Sequence, residues 1–144
     1  MNGFTSRPLL SALTAAEVKA HNSSVQLFQL ECDGFGYTTL IGDTIYAGKG
    51  LITDFASIPR VAWDIISPQD IVCCPGSIIH DDGYSRGGVM CNGDKYTRDQ
   101  IDLMLRESIL SQGGSRFIAD SVYEAVHLFG ASHWGTTFLC RPPV

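Results

Sequence analysis

Thr53-Asp54-Phe55-Ala56-Ser57-Ile58-Pro59-Arg60 is where the hydrophobic pattern of this chain changes its period, and that change decides the fold class. Before it, β-branched and aromatic residues come in short runs separated by glycines. After it, apolar residues recur at intervals of three and four, the spacing of a helix face. Pro59 suits a first helical turn, with Ser57 as the N-cap that accepts a backbone N–H. No Gly-x-Ser-x-Gly elbow surrounds Ser57, so it reads as a cap rather than a nucleophile.

Working back from that stretch, Val25-Gln26-Leu27-Phe28-Gln29-Leu30 and Gly36-Tyr37-Thr38-Thr39-Leu40-Ile41 have strand composition, and Asp33-Gly34 between them signals a hairpin. A third strand is expected at 44–47, after the turn Gly42-Asp43. A fourth is expected at 51–54, after Gly48-Lys49-Gly50. Residues 25–54 thus read as a small antiparallel sheet. Residues 1–24 carry mixed signals: 11–21 fits a short helix on Ala12, Ala15 and Val18, ended by Asn22-Ser23-Ser24.

Working forward, a short helix through Val61, Trp63, Ile65 and Ile66 should stop near Ser67-Pro68. Pro75-Gly76 opens the next, which carries Ile78-Ile79-His80-Asp81-Asp82-Gly83-Tyr84 and ends near Gly83 or Tyr84. Residues 85–95 are turn-rich and read as an exposed loop. Thr97 is a good N-cap for a longer helix, because Gln100 completes a capping box and Asp99 suits the positive end. Ile101, Met104, Leu105 and Ile109 form its core stripe, and Gly113-Gly114 closes it. Ser115 opens a last helix with Ile118, Val122, Ala125 and Phe129 on one face, stopped by Gly130. The tail 131–144, with Trp134 and Phe138, reads as irregular and partly docked. The expectation is α+β, a small N-terminal antiparallel sheet followed by three to four helices over 58–130, in a single domain spanning 1–144.

Composition narrows the function classes. A chain of 144 residues that is 44% hydrophobic can bury a real core without disulfides or metal. No apolar run approaches the roughly 20 residues of a membrane span, so no transmembrane segment is expected. Residues 1–13 lack the apolar core and cleavage site of a secretory signal. A net charge of −5 with only 10 lysines and arginines, none clustered, argues against nucleic acid as a partner. The five cysteines, Cys32, Cys73, Cys74, Cys91 and Cys140, are odd in number and show no C-x-x-C spacing, which points to reduced thiols. A ligand set of Cys73 or Cys74 with Cys91 and His80 is the alternative.

The residues that can carry chemistry gather in 78–84. On a helix, His80 and Tyr84 share a face, with Asp81 about 100° round the turn. His80 is the natural general base or acid, since an imidazole with a pKa of about 6.5 exchanges a proton at physiological pH. Asp102, one position from the core residue Ile101, orients that ring if the two helices pack antiparallel across the 85–95 loop. The competing reading is a His–Asp tie that only joins two helices. Tyr84 either hydrogen-bonds an acid or is packed with its hydroxyl satisfied. Asp81, Asp82 and Asp54 offer carboxylates to a hard cation such as Ca²⁺, although their spacing matches no EF-hand loop. For Asp54 the alternative is an Asx-turn. His21, His127 and His133 read as surface or packing residues, and Arg60 and Arg98 as paired with these acids or solvated.

Four segments together resemble, in order and spacing, the phage and prophage family called domain of unknown function 1353. They are Thr53-Asp54-Phe55-Ala56-Ser57-Ile58-Pro59-Arg60, then Ile79-His80-Asp81 with Tyr84, then Thr97-Arg98 with Asp102, then Tyr123-Glu124-Ala125-Val126 with Leu128-Phe129-Gly130. The resemblance covers about residues 45–135 and implies a gene of a tailed bacteriophage or prophage. A fainter similarity, of His80, Asp81, Tyr84 and Asp102, is to the secreted and parvoviral phospholipase A2 enzymes. It implies that His80 activates water, Asp102 orients His80 and Asp81 binds Ca²⁺, although the glycine-rich calcium loop of those enzymes is missing here.

Two function classes follow as expectations. One is a hydrolase whose His80/Asp102 dyad, with Tyr84 beside it and Asp81 and Asp54 forming an acidic pocket, activates water on a lipid ester or cell-envelope bond. The other is a non-enzymatic phage virion (tail or capsid-associated) or assembly protein, bound to other phage structural proteins or to itself, in which the His–Asp cluster is structural. Either is expected in the host cytoplasm during infection or in the virion.

Overall fold

The computed structural model describes residues 2–55, 58–66, 70 and 72–135. Its fold is α+β, with short strands sorted into two antiparallel sheets rather than one. One sheet holds β1 (Gly3–Phe4), β4 (Gly36–Thr38) and β5 (Thr44–Tyr46) in the order β1-β4-β5. The other holds β2 (Leu10–Ala12), β3 (Phe28–Leu30) and β6 (Ile52–Thr53) in the order β2-β3-β6.

The hairpin expected between 25–30 and 36–41 is therefore not formed. β3 pairs with β2 and β6, whereas β4 pairs with β1 and β5. After β3 the chain crosses from one sheet to the other, with Gly34 at φ 73° and the ring of Phe35 fully buried. Residues 1–24 supply the strands that complete both sheets. The β4–β5 hairpin does form, turning at Gly42, whose φ of 96° favours glycine. It places Tyr37 and Ile45 opposite each other, both buried.

The helix expected at 11–21 is shorter, α1 (Ala15–Ala20), because Leu10–Ala12 is used as a strand. Its start lies four residues later than expected, at a capping box the sequence reading did not name: Thr14 accepts from Glu17 N at 3.2 Å, and Glu17 Oε1 accepts from Thr14 N at 3.0 Å. α2 (Arg60–Trp63) begins after Pro59, which occupies the N-cap position itself. Ser57, the Ser67-Pro68 stop, and the tail from 136 onward, with Phe138 and Cys140, lie outside the described residues.

The remaining helices are α3 (Cys74–Ser85), α4 (Arg98–Ser111) and α5 (Arg116–Phe129), followed by a short 3-10 helix (Ala131–His133). Both capping-box bonds between Thr97 and Gln100 are present, and Ser115 Oγ accepts from Ile118 N at 3.1 Å. On α5 the buried face is Ala119, Val122, Ala125 and Val126, which leaves Phe129 58% exposed instead of in the core. The 85–95 loop is not wholly exposed either. A bridge between Val89 and Lys95 folds it back, and Met90 is buried.

α4 packs on both α3 and α5. Gly76 lies against Ser108, His80 against Asp102 and Tyr84 against Arg98, so α3 and α4 run antiparallel. Two apolar clusters meet at α4. One joins the sheets to α3 through Tyr37, Ile45, Ile78, Ile79 and Ile101; the other joins α2, α4 and α5 through Ala62, Leu105, Ile109 and Val122. Fully burying Ile78 and Ile79 stabilises the fold by roughly 1.5–3 kcal/mol each. Asp102 lies on α4 between Ile101 of the first cluster and Leu105 of the second. Among the described residues no helix is long and apolar enough to cross a membrane.

Candidate active site

α3 brings its chemistry to α4 by giving up side chains. Gly76, His80 and Gly83 fall at i, i+4 and i+7 and share a face. A Cβ on Gly76 would collide with Ser108 Oγ, and one on Gly83 would stand 3.0 Å from Ile101 Cδ1. Each glycine costs about 1 kcal/mol against alanine in a helix interior, and in return the two helices approach closely enough for His80 to reach Asp102. Residues 76–84 of α3 are all buried. Its polar side chains therefore need partners inside the protein.

His80 Nε2 lies 2.8 Å from Asp102 Oδ1, and the Tyr84 hydroxyl donates to the same oxygen at 2.6 Å. The two rings stack with centroids 4.3 Å apart. His80 and Asp102 are 0% exposed and Tyr84 1%. Trp134 packs edge-on against Tyr84 at 5.2 Å, and Gly135 N donates to the Tyr84 carbonyl at 2.7 Å. Burial first, and then the bond to Asp102, push the Tyr84 phenol well above its ordinary value, since a charged phenolate there would lack water and face a carboxylate. Arg98 Nη1 donates to the Tyr84 oxygen at 3.3 Å and stands 3.8 Å from Asp102 Oδ2. That last contact is an ion pair at the limit of range, for Asp102 Oδ2 has no hydrogen-bond partner among the described residues.

The family model described as "Protein of unknown function (DUF1353)" matches residues 29–126. This chain belongs to the DUF1353 family. No curated protein and no solved structure matches it. In this DUF1353 chain α3, α4 and the first eleven residues of α5 fall inside the matched span, while β1, β2 and α1 fall outside it.

The acidic residues proposed as cation ligands are placed differently. Asp82 is buried, with Oδ2 accepting from Gly48 N at 3.0 Å and Oδ1 accepting from Arg86 Nε at 2.9 Å. It thus ties α3 to the turn after β5. Asp81 is buried one position from His80, and Asp54 is partly buried where the chain leaves β6. Phe55, directly after Asp54, has φ 64° with its ring in the core, a conformation that costs a bulky residue about 1–3 kcal/mol. Among the described residues no three His, Cys, Asp or Glu side chains converge as a metal would require. Asp82, the carboxylate next to Asp81, is already committed.

Among the described residues Cys73 or Cys74, Cys91 and His80 do not converge as a group of metal ligands. Cys32, Cys73, Cys74 and Cys91 are free thiols. Burial, then Cys74 and Asp70, push Cys73 up to about 12, and burial also raises Cys74 and Cys91. Thiols held protonated are poor nucleophiles.

In the DUF1353 chain two further features matter that sequence reading did not assign. The glycine pair flanking His80 was visible as spacing but was read only as helix punctuation. Arg98, read as paired or solvated, reaches the polar cluster from α4. A second His–Tyr–Asp group lies nearby: Tyr123 donates to Asp99 Oδ1 at 2.7 Å and stacks on His127 at 5.5 Å, with His127 Nδ1 3.7 Å from the same oxygen. His127 and Asp99 are about half exposed.

Proposed function

We propose that this DUF1353 chain is a hydrolase of a tailed bacteriophage or prophage, in which His80 activates water on a lipid ester or cell-envelope bond. One observation carries the reading: Asp102 Oδ1 accepts from both His80 Nε2 and the Tyr84 hydroxyl. A carboxylate only accepts, so Nε2 is the ring nitrogen that donates to it. In ester hydrolysis the imidazole of His80 takes a proton from water as the water oxygen bonds to the carbonyl carbon. Asp102 stabilises the imidazolium. The proton then passes to the alcohol oxygen as its C–O bond breaks, leaving an acid and an alcohol. The protein acts in the host cytoplasm during infection or is carried in the virion.

A second reading, a non-enzymatic virion or assembly component, is favoured by the complete burial of His80 and Asp102. It is also favoured by Leu128 and Phe129, 63% and 58% exposed beside a groove of about 370 Å³. Such a surface suits another phage structural protein or a second copy of the chain. The deciding experiment compares wild type with His80→Ala in lipid-ester and peptidoglycan hydrolysis, with and without Ca²⁺, alongside sedimentation. Hydrolysis by wild type that His80→Ala loses while still unfolding cooperatively supports the enzyme. Equal signal in every condition, with an assembly burying well over about 1,000 Å², supports the structural component.

A further inference from the structure

We infer that the outward face of α5 is an interface with a second copy of the chain, the two α5 helices packing antiparallel about a two-fold axis at Ser121. Phe117, Ser121, Glu124 and Leu128 fall at i, i+4, i+7 and i+11, one stripe along α5 opposite the buried Ala119 and Val126. Phe117 is 71% exposed, and Leu128 is exposed beside it. Val61 and Ile65 of α2, both exposed, form the wall of the groove of about 370 Å³ that runs along the same stripe. A contiguous apolar surface with a polar rim is the mark of a contact site rather than of a solvated helix face.

Shape and charge both select a second copy. Ser121, Glu124, Ala125 and Leu128 line the groove at the i, i+3, i+4 and i+7 spacing of a hole that takes one side chain from a facing helix. Phe117 supplies that side chain. It and Ala125 each lie four residues from Ser121, about 6 Å of rise, so rotation about Ser121 brings each Phe117 level with the partner's Ala125. The small Ser121 lets the two helices cross closely. On the same flank of the stripe, the rotation leaves each Arg116 two positions from the partner's Glu124, about 3 Å of rise. Arg116 is free to turn there: it is 83% exposed and stands 3.9 Å from Asp120, whose other oxygen accepts from Arg106 Nε at 2.6 Å. A parallel alignment would instead bring Glu124 level with Glu124 and leave each groove facing a groove. The exposed parts of Phe117, Leu128, Phe129, Val61 and Ile65 offer on the order of 500 Å² per copy, so a pair buries about 1,000 Å², enough for a specific interface. Because the same patch serves both copies, assembly closes at two. The pairing rests on the assembly reading and names the partner which that reading leaves open.

The test is sedimentation velocity of the full chain over about a hundredfold range of concentration. Wild type should pass from monomer to dimer and stop there. Phe117→Ser should stay monomeric where wild type is dimeric. Arg116→Glu and Glu124→Arg each put like charges at both ends of the seam and should weaken the dimer at least about tenfold. Mixing those two variants should restore it, since each supplies the sign the other lacks. All three positions are exposed, and cooperative urea unfolding of each variant checks that the fold is kept. A wild type that is monomeric throughout overturns the pairing and gives the groove to a different protein. A dimer that survives Phe117→Ser, or charge variants that do not rejoin on mixing, overturns it as well. If wild type hydrolyses a substrate that a still dimeric His80→Ala does not, the non-enzymatic reading fails while the pairing stands, so the two failures are distinguishable.

Discussion

The molecule contains the same three residue types arranged twice around α4, once inside and once at the surface. Inside, α3 offers His80 and Tyr84 at i and i+4 to Asp102. At the surface, α5 offers Tyr123 and His127 at the same spacing to Asp99, one turn earlier on α4. In both groups the rings stack. The buried carboxylate oxygen accepts two bonds of 2.8 Å or less, whereas the exposed one accepts a single bond of 2.7 Å with its histidine at 3.7 Å. Water can replace any partner at the surface; inside, the His80 ring nitrogen and the Tyr84 hydroxyl share one carboxylate oxygen and depend on each other. The lesson is that residue identity and spacing define a cluster, and the packing around it decides whether that cluster has one proton arrangement or many.

The sharpest way to break this contrast is to remove each acid. Asp102→Ala leaves two buried donors without an acceptor and should cost about 3–5 kcal/mol in urea unfolding, whereas Asp99→Ala should cost less than about 1 kcal/mol. Equal losses would mean that the interior group is no more tightly coupled than the surface one. Next in size is Gly83→Ala, which presses a methyl against Ile101. Overpacking of this kind costs about 1–3 kcal/mol, and it should weaken the His80–Asp102 contact while leaving the Tyr123–Asp99 bond intact, as read from the hydroxyl and ring NMR signals of each group.

The smallest effect is in the alkaline limb of stability. The Tyr84 phenol is raised above its ordinary 10.0 by burial and then by Asp102, and the Tyr123 phenol is raised to about 12 by its bond to Asp99. A phenol whose folded value lies above its unfolded value contributes stability that is complete below pH 10 and is lost as pH climbs through the folded value. Tyr84→Phe and Tyr123→Phe should each flatten part of that decline above pH 10. In about 1 M salt the contribution of Tyr123 should shrink and that of Tyr84 should persist, because ions screen only the exposed pair. Equal salt sensitivity in thermal melts at pH 11 would contradict the assignment of inside and outside.

Much of this was legible in the sequence because it is encoded locally. The box Thr97-Gln100 states its own helix start, and the four-residue spacing of His80 and Tyr84 places both on one face. Asp102 followed from the antiparallel return of α4. The sheets were not legible in the same way. Strands of two or three residues carry too little alternation to specify partners, and Phe35, which reads as part of a hairpin, is the core residue at which the chain changes sheets. Phe129 shares the angular face of Val122 and Ala125 but is the last residue of α5, where it lines an open groove instead of meeting a neighbouring element. Arg98 was left between pairing with an acid and solvation, because a long side chain near a helix start is fixed only when α5 supplies the carbonyls it donates to.

The glycines of α3 also bear on the order in which the molecule is built. A twelve-residue helix with Pro75, Gly76 and Gly83 is marginal by itself. α4 and α5 carry their own caps and are joined by only four residues, so they can pair early with little loop entropy to overcome. α3 should become helical only as its bare face meets that pair. His80 and Asp102 then spend the early life of the chain separately hydrated and chemically ordinary, and the cluster comes into being at the last docking step.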